Sequence, residues 1–183
     1  MMLLSWGKNM IPSKNIIKSG IGFLLILLST ILIGYLLLIL VYLLPTEKMK
    51  SNMYAVMPEL EAEDLYPSLD YTLSTTLDNY TDSLMLGAAV YDNSNESVFV
   101  KALRIEHPGG DECAPIQNLN SYLNNWNNNV AVKEPEPYPG AAYTRYWHGY
   151  LLLLKPILCC TNYFIWRSMN RVIQAMETVS KSV

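Results

Sequence analysis

The residues in this chain that could do chemistry fall in three short stretches. In TLDNYTDSLML, residues 76–86, two aspartates stand four apart. Asp78 and Asp82 share a face if the segment is helical. A carboxylate there can take a proton from an acceptor hydroxyl, or hold a sugar phosphate through a divalent cation. The same pair suits a helix start, where acids in the first turn complement the positive end of the helix dipole. Like charges at that spacing repel, which calls for a partner: a cation, or a basic side chain such as Arg145. Arg145, Tyr146, Trp147 and His148 form the densest polar-aromatic cluster. Arginine offers a forked donor for phosphate, aromatic faces offer a platform for a sugar ring or lipid tail, and histidine titrates near neutrality. The same residue types also make an anchoring belt at a membrane surface. The third stretch is HPGGDE, 107–112, where His107, Asp111 and Glu112 could gather a metal, but one histidine and two adjacent acids read foremost as a plain loop, so no metal ligand set is assigned.

There is no phosphate-cradling glycine motif and no Ser/His/Asp spacing, and nothing in the sequence names a cofactor. Cys113, Cys159 and Cys160 are an odd set with an adjacent pair, which is neither a disulfide framework nor a zinc site. They are expected to act as small apolar fillers.

The elements that must position these residues begin with a membrane segment. From Ser19 to Pro45 the chain reads SGIGFLLILLSTILIGYLLLILVYLLP without a charge. About 20 apolar residues cross a hydrocarbon core, and a signal peptide has a core of only about 7–15. The run is therefore expected to be an uncleaved transmembrane helix. Charge is segregated around it: +3 over residues 1–44, −10 over 45–140 and +4 over 141–183, which together make the chain's −3. An acidic middle argues against a nucleic-acid partner, whereas basic ends beside apolar segments suit membrane lipids. Three lysines before the span against two after it place the N-terminus in the cytoplasm and the acidic segment outside. The sequons at Asn79 and Asn95 fit that placement.

After the span, residues 46–76 read as a connecting arm with one short helix, MPELEAEDL. A helix is expected from about Leu77, capped by Thr75 or Thr76, with Leu84, Met85, Ala88 and Ala89 as its packing face. A second is expected over 95–107, capped by Asn95, and a third over 115–126, with Ile116, Leu119 and Leu123 on one side. The asparagine- and proline-rich stretch 127–140 reads as a loop. Residues 150–166 are long enough to approach a span but hold Lys155, Pro156 and Asn162. Interfacial helices broken near Pro156 are the expectation, a second crossing the alternative, and Lys155 can snorkel to the headgroups. The fold class is thus mostly α: a single N-terminal transmembrane helix, a small helical extracytoplasmic domain, and interfacial C-terminal helices. In residue ranges these are a cytoplasmic N-terminus at 1–18, the span at 19–45, the acidic helical domain at 46–142 and aromatic-basic interfacial helices at 143–183.

This order of pieces, with LDNYTDSLML (77–86) and YTRYWHGYLLLLKPIL (143–158), resembles the N-terminal portion of uncharacterised polytopic membrane proteins of Gram-positive bacteria over most of the chain. The layout is also similar to the C-type lipid-phosphosugar-dependent membrane glycosyltransferases. That similarity implies an early catalytic acid in the first outside loop, here Asp78 or Asp82, with Arg145 near a lipid phosphate and Trp147 and His148 beside it. Such enzymes have many more spans, so the similarity implies a truncated or split relative. The preferred expectation is an accessory or interaction module of the cell envelope that docks on a polytopic membrane partner, because one span cannot enclose a lipid-phosphate cavity.

Overall fold

The computed structural model describes residues 14–68, 76–132, 139–142 and 148–181. Within them the chain is mostly helical. It runs α1 (Lys14–Tyr42), α2 (Thr46–Tyr54), α3 (Met57–Glu63), α4 (Asn79–Val90), α5 (Val98–Arg104), β1 (Glu106–Pro108), α6 (Pro115–Val132) and β2 (Gly140–Ala142). A 3-10 turn (His148–Tyr150), α7 (Leu151–Cys160) and α8 (Tyr163–Lys181) complete it. Two units divide the chain, Met1–Leu36 and Leu37–Val183.

The first unit is the forward part of α1. Over Ile16–Tyr42 this helix is long and apolar enough to cross a membrane, and its apolar residues leave no polar stripe. Phe23 and Ile26 stand 70% and 68% exposed. The Thr30 hydroxyl gives its hydrogen bond back to Ile26 O at 2.9 Å, so even this polar group is satisfied within the helix. The helix is already formed at Lys14, the first described residue, and ends at Tyr42 rather than Pro45. Proline disfavours helical backbone in the residue before it, which stops the helix short of Leu44–Pro45.

In the second unit, the supposed arm after the span is two helices. Met49, Met53, Met57 and Leu60 recur on one face of α2 and α3 and are fully buried. Methionine fills irregular core space well, and its spacing here is the helical signal. Pro58 sits in the first turn of α3, where its missing N–H costs nothing. These side chains pack with Leu86 and Ala88–Tyr91 of the α4 end, with Ile116, Leu119, Tyr122 and Leu123 of α6, and with Leu151 and Leu158 of α7. Leu38, Tyr42 and Leu44 cover one edge of this core.

Three further boundaries differ from expectation. The helix at 95–107 is only Val98–Arg104, capped by the Ser97 hydroxyl rather than by Asn95. Ile105 ends it in the left-handed region at φ 45°, held there by burial, and Glu106–Pro108 then pairs antiparallel with Gly140–Ala142. Helix α6 runs on to Val132. Three of its asparagines are engaged instead of competing with the backbone: Asn120 donates to Glu61, Asn124 to Asn120 and Asn127 to the Tyr54 hydroxyl. Helix α7 passes through Pro156 and breaks at Thr161, because its buried face packs against α2 and α4. Asn52 donates to the carbonyl of Leu158 at 2.7 Å, closing an otherwise orphan acceptor in the last turn. Helices α7 and α8 meet at 114°, so they do not form one straight span.

Candidate functional site

Asp78 and Asp82 were expected to act together, and the fold gives them different partners. Asp78 is the N-cap of α4, in place of the expected Thr75 or Thr76. One carboxylate oxygen accepts from the Thr81 N–H at 3.0 Å and the other from the Thr81 hydroxyl at 2.7 Å, on an exposed surface. That is a helix-capping geometry. Asp82, one turn on, faces α8, and the Tyr163 hydroxyl donates to it. Burial pushes the Asp82 carboxyl above its ordinary range, with the Tyr163 hydrogen bond opposing and the Asp78 charge adding to the rise. Burial and the Asp82 charge push the Tyr163 phenol upward in turn.

Beside this pair lies an ion pair that joins α3 to α8. The Arg167 guanidinium takes both oxygens of Glu63, with Nη1 2.7 Å from Oε2. Asn79, fully buried, donates to Glu63 Oε2 at 3.2 Å and to Asp64 O at 2.8 Å. Burial alone would raise the Glu63 carboxyl, but the hydrogen bonds from Arg167 and Asn79 outweigh it and hold it below the usual carboxylate value. The guanidinium also lies over Phe164 and Tyr163, at 4.6 and 5.4 Å from the ring centres. Asn79 is thus consumed inside the fold and cannot serve as a glycan acceptor, whereas Asn95 is exposed. Glu63, Tyr163 and Arg167 were not singled out from the sequence as site residues, and Asn79 was read only as a sequon. Their separation along the chain left no local signal beyond Arg167 in an aromatic-rich segment.

Lys155 is not at the headgroups. It is 1% exposed, its ammonium donates to Ala89 O at 2.6 Å, and it lies 4.2 Å from the centre of the Tyr42 ring. Ala89 O belongs to the last turn of α4, the negative end of that helix dipole. Burial pulls the amine down to about 8, partly offset by the Asp92 charge.

Of the aromatic-basic cluster, His148 opens the 3-10 turn, with its ring 6.0 Å from that of Tyr150. Arg145 and Trp147 lie outside the described residues, as does Thr75. His107 Nδ1 lies 2.9 Å from Pro108 O, and Asp111 accepts from the Cys113 N–H. Among the described residues no three His, Cys, Asp or Glu side chains come together as a metal site. Cys113 and Cys160 are exposed, so the filler role fits only Cys159, which packs against the core. Compared with protein-family models, curated proteins and solved structures, the chain matches none.

The last feature is a surface. Helix α8 is held to the protein through Tyr163 and Arg167, and it turns Ile165, Met169, Val172 and Met176 outward, 51–67% exposed. A surface helix of a globular protein ordinarily buries its apolar stripe and exposes its charges. Here the apolar stripe is exposed, while Tyr163, Phe164 and Arg167 face the protein. Beside the stripe runs a groove of about 680 Å³, whose other wall is Ala55, Val56 and Glu59.

Proposed function

We propose that this chain is a membrane-anchored helical module, its N-terminus cytoplasmic and its acidic bulk outside, acting as an accessory or interaction component of the cell envelope. The observation that carries the reading is α1: 27 residues from Ile16 to Tyr42, long and apolar enough to cross a membrane, whose most apolar stretch has no buried residue. Leaving that much apolar surface in water is untenable at roughly 25 cal/mol per Å², and a bilayer removes it. Orientation follows from Lys8, Lys14 and Lys18 at and before the N-terminal end of the helix against Lys48 and Lys50 after it. The second unit supports an interaction role better than a chemical one. Its carboxylates at Asp78 and Glu63 are committed to a cap and an ion pair, while the outward stripe of α8 offers a contact surface.

Reporter fusions after residues 10, 70 and 180 test the topology. A cytoplasm-active reporter is expected to work only at 10, and an export-active reporter at both 70 and 180. Activity of the cytoplasmic reporter at 70 would overturn the orientation, and activity at 10 and 180 but not at 70 would establish a second crossing.

A further inference from the structure

We infer that α8 is a second, in-plane membrane contact: its Ile165–Met169–Val172–Met176 stripe, with the adjoining groove, rests in the headgroup–acyl boundary of a bilayer. This deepens the reading of an anchored module and rests on it.

Three observations carry the inference. The first is the exposed stripe of α8. Its Tyr163–Phe164–Arg167 side is fixed inward by the Arg167 pair with Glu63 and the Tyr163 bond to Asp82, so rotation cannot hide the apolar stripe without breaking both. The stripe is therefore a built feature of the fold. The second is covalent reach. The groove's far wall begins at Ala55, directly after α2, which is 9 residues or about 14 Å long. Leu43–Pro45 add at most roughly 11 Å, so Ala55 stays within about 30 Å of the end of α1. A helix that spans a bilayer thus keeps the groove within reach of its surface. The third is composition along the helix. Arg171, one turn after Arg167 on the face away from the stripe, is exposed, as interfacial helices carry cations on their polar face.

A second copy of the chain is the competing occupant, since the stripe's spacing of four, three and four also fits a coiled-coil seam. Helix α8 has 19 residues, under three heptads, whereas such seams run three to four or more. The groove also widens the apolar surface beyond what a narrow seam would cover.

The test uses the full chain with Cys113, Cys159 and Cys160 replaced by serine or alanine. Single cysteines are then introduced by Leu28→Cys, Met169→Cys, Val172→Cys and Gln117→Cys, each carrying an environment-sensitive fluorophore. The protein is reconstituted in vesicles of phosphatidylethanolamine and phosphatidylglycerol, with or without acyl-brominated lipid. Labels at 169 and 172 are expected to lose about half their emission to brominated lipid, since an interfacial helix buries its apolar face roughly 5–10 Å deep. The label at 28 is expected to lose more and that at 117 none. Quenching at 28 without quenching at 169 or 172 would sink the in-plane contact and leave the anchor intact. No quenching at 28 would sink the anchored reading itself. Disulfide cross-linking between copies at 169 or 172, with those labels unquenched, would assign the stripe to a second copy instead. All four labelled positions are exposed, so no label opens the core, and Cys159, which packs against it, is replaced by alanine to keep that contact apolar.

Discussion

The ammonium of Lys155 sits 4.2 Å from the centre of the Tyr42 ring while bonding the Ala89 carbonyl, so one buried charge ties the end of α1, the end of α4 and the middle of α7. A lone cation in a protein interior is costly, and three things moderate that cost here: an aromatic face, a helix C-terminus and a lowered pKa.

Lys155→Ala is expected to cost about 2–4 kcal/mol, because it empties a fully buried volume and strips Ala89 O of its donor. Lys155→Met keeps the volume and removes the desolvated charge, so its cost should be near zero to about 1 kcal/mol. Chemical denaturation of the full chain in detergent micelles, followed by circular dichroism, reads both. Equal losses in the two variants would show that the charge itself holds the junction.

The same residue sets a pH dependence. Its amine titrates near 8 in the fold against 10.5 when unfolded. Between those values the unfolded chain binds the extra proton, so stability rises with pH, by about 1 kcal/mol per unit at most. The rise should begin near pH 8 and end near pH 10. There Tyr91, pushed up to about 12 chiefly by burial, and Tyr122 and Tyr163, pushed up likewise, start to act in the opposite sense. Denaturation midpoints measured from pH 7 to 10 check this, and Lys155→Met should flatten the rising limb. A limb unchanged in that variant would assign it to another group.

Asp78→Ala removes the cap of α4 and is expected to cost about 1 kcal/mol, with Asp78→Asn nearly neutral because asparagine caps as well. Thermal unfolding of the two variants checks the order. A large loss in the asparagine variant would point to the negative charge, and to a ligand, rather than to the cap.

Local patterns in the sequence carried much of the fold and little of the cluster at α8. The apolar run of α1 and the Ile116, Leu119 and Leu123 face of α6 are local repeats that any helix displays. Helix α2 was missed because its core residues are methionines among charges, and because Pro45 reads as a breaker when it is an entry point. Lys155 read as a snorkelling residue because hydropathy treats lysine as a surface group, while its ring and carbonyl partners come from Tyr42 and Ala89, remote in sequence. Glu63 and Arg167 are likewise remote, 104 positions apart, and only the tertiary fold brings them together. The aspartate pair was legible as a helix start, and its division into a cap and a buried partner depended on where Tyr163 lands.

The Glu63–Arg167 pair should decide whether α8 stays docked. It is bidentate, half-buried and braced by Asn79, which places it above an exposed surface pair in strength. Arg167→Gln is expected to cost about 1–3 kcal/mol, since it leaves a partly buried carboxylate without its cation. Acid should act similarly. Glu63 is held below its ordinary pKa, so its contribution is complete above about pH 4.5 and is lost as pH falls through the folded value. Asp82 has the opposite sign: raised chiefly by burial, it keeps its proton longer in the fold, so lowering the pH relieves a buried charge there. Hydrogen exchange along α8 separates the two. If Glu63 dominates, the first turns of α8 lose protection below pH 4.5 in the wild type, and Glu63→Gln exchanges faster at neutral pH with no further change in acid. Asp82→Asn should leave that acid response in place. Protection that survives Glu63→Gln at neutral pH would mean that Tyr163 and the core contact of Phe164, not the ion pair, hold the helix.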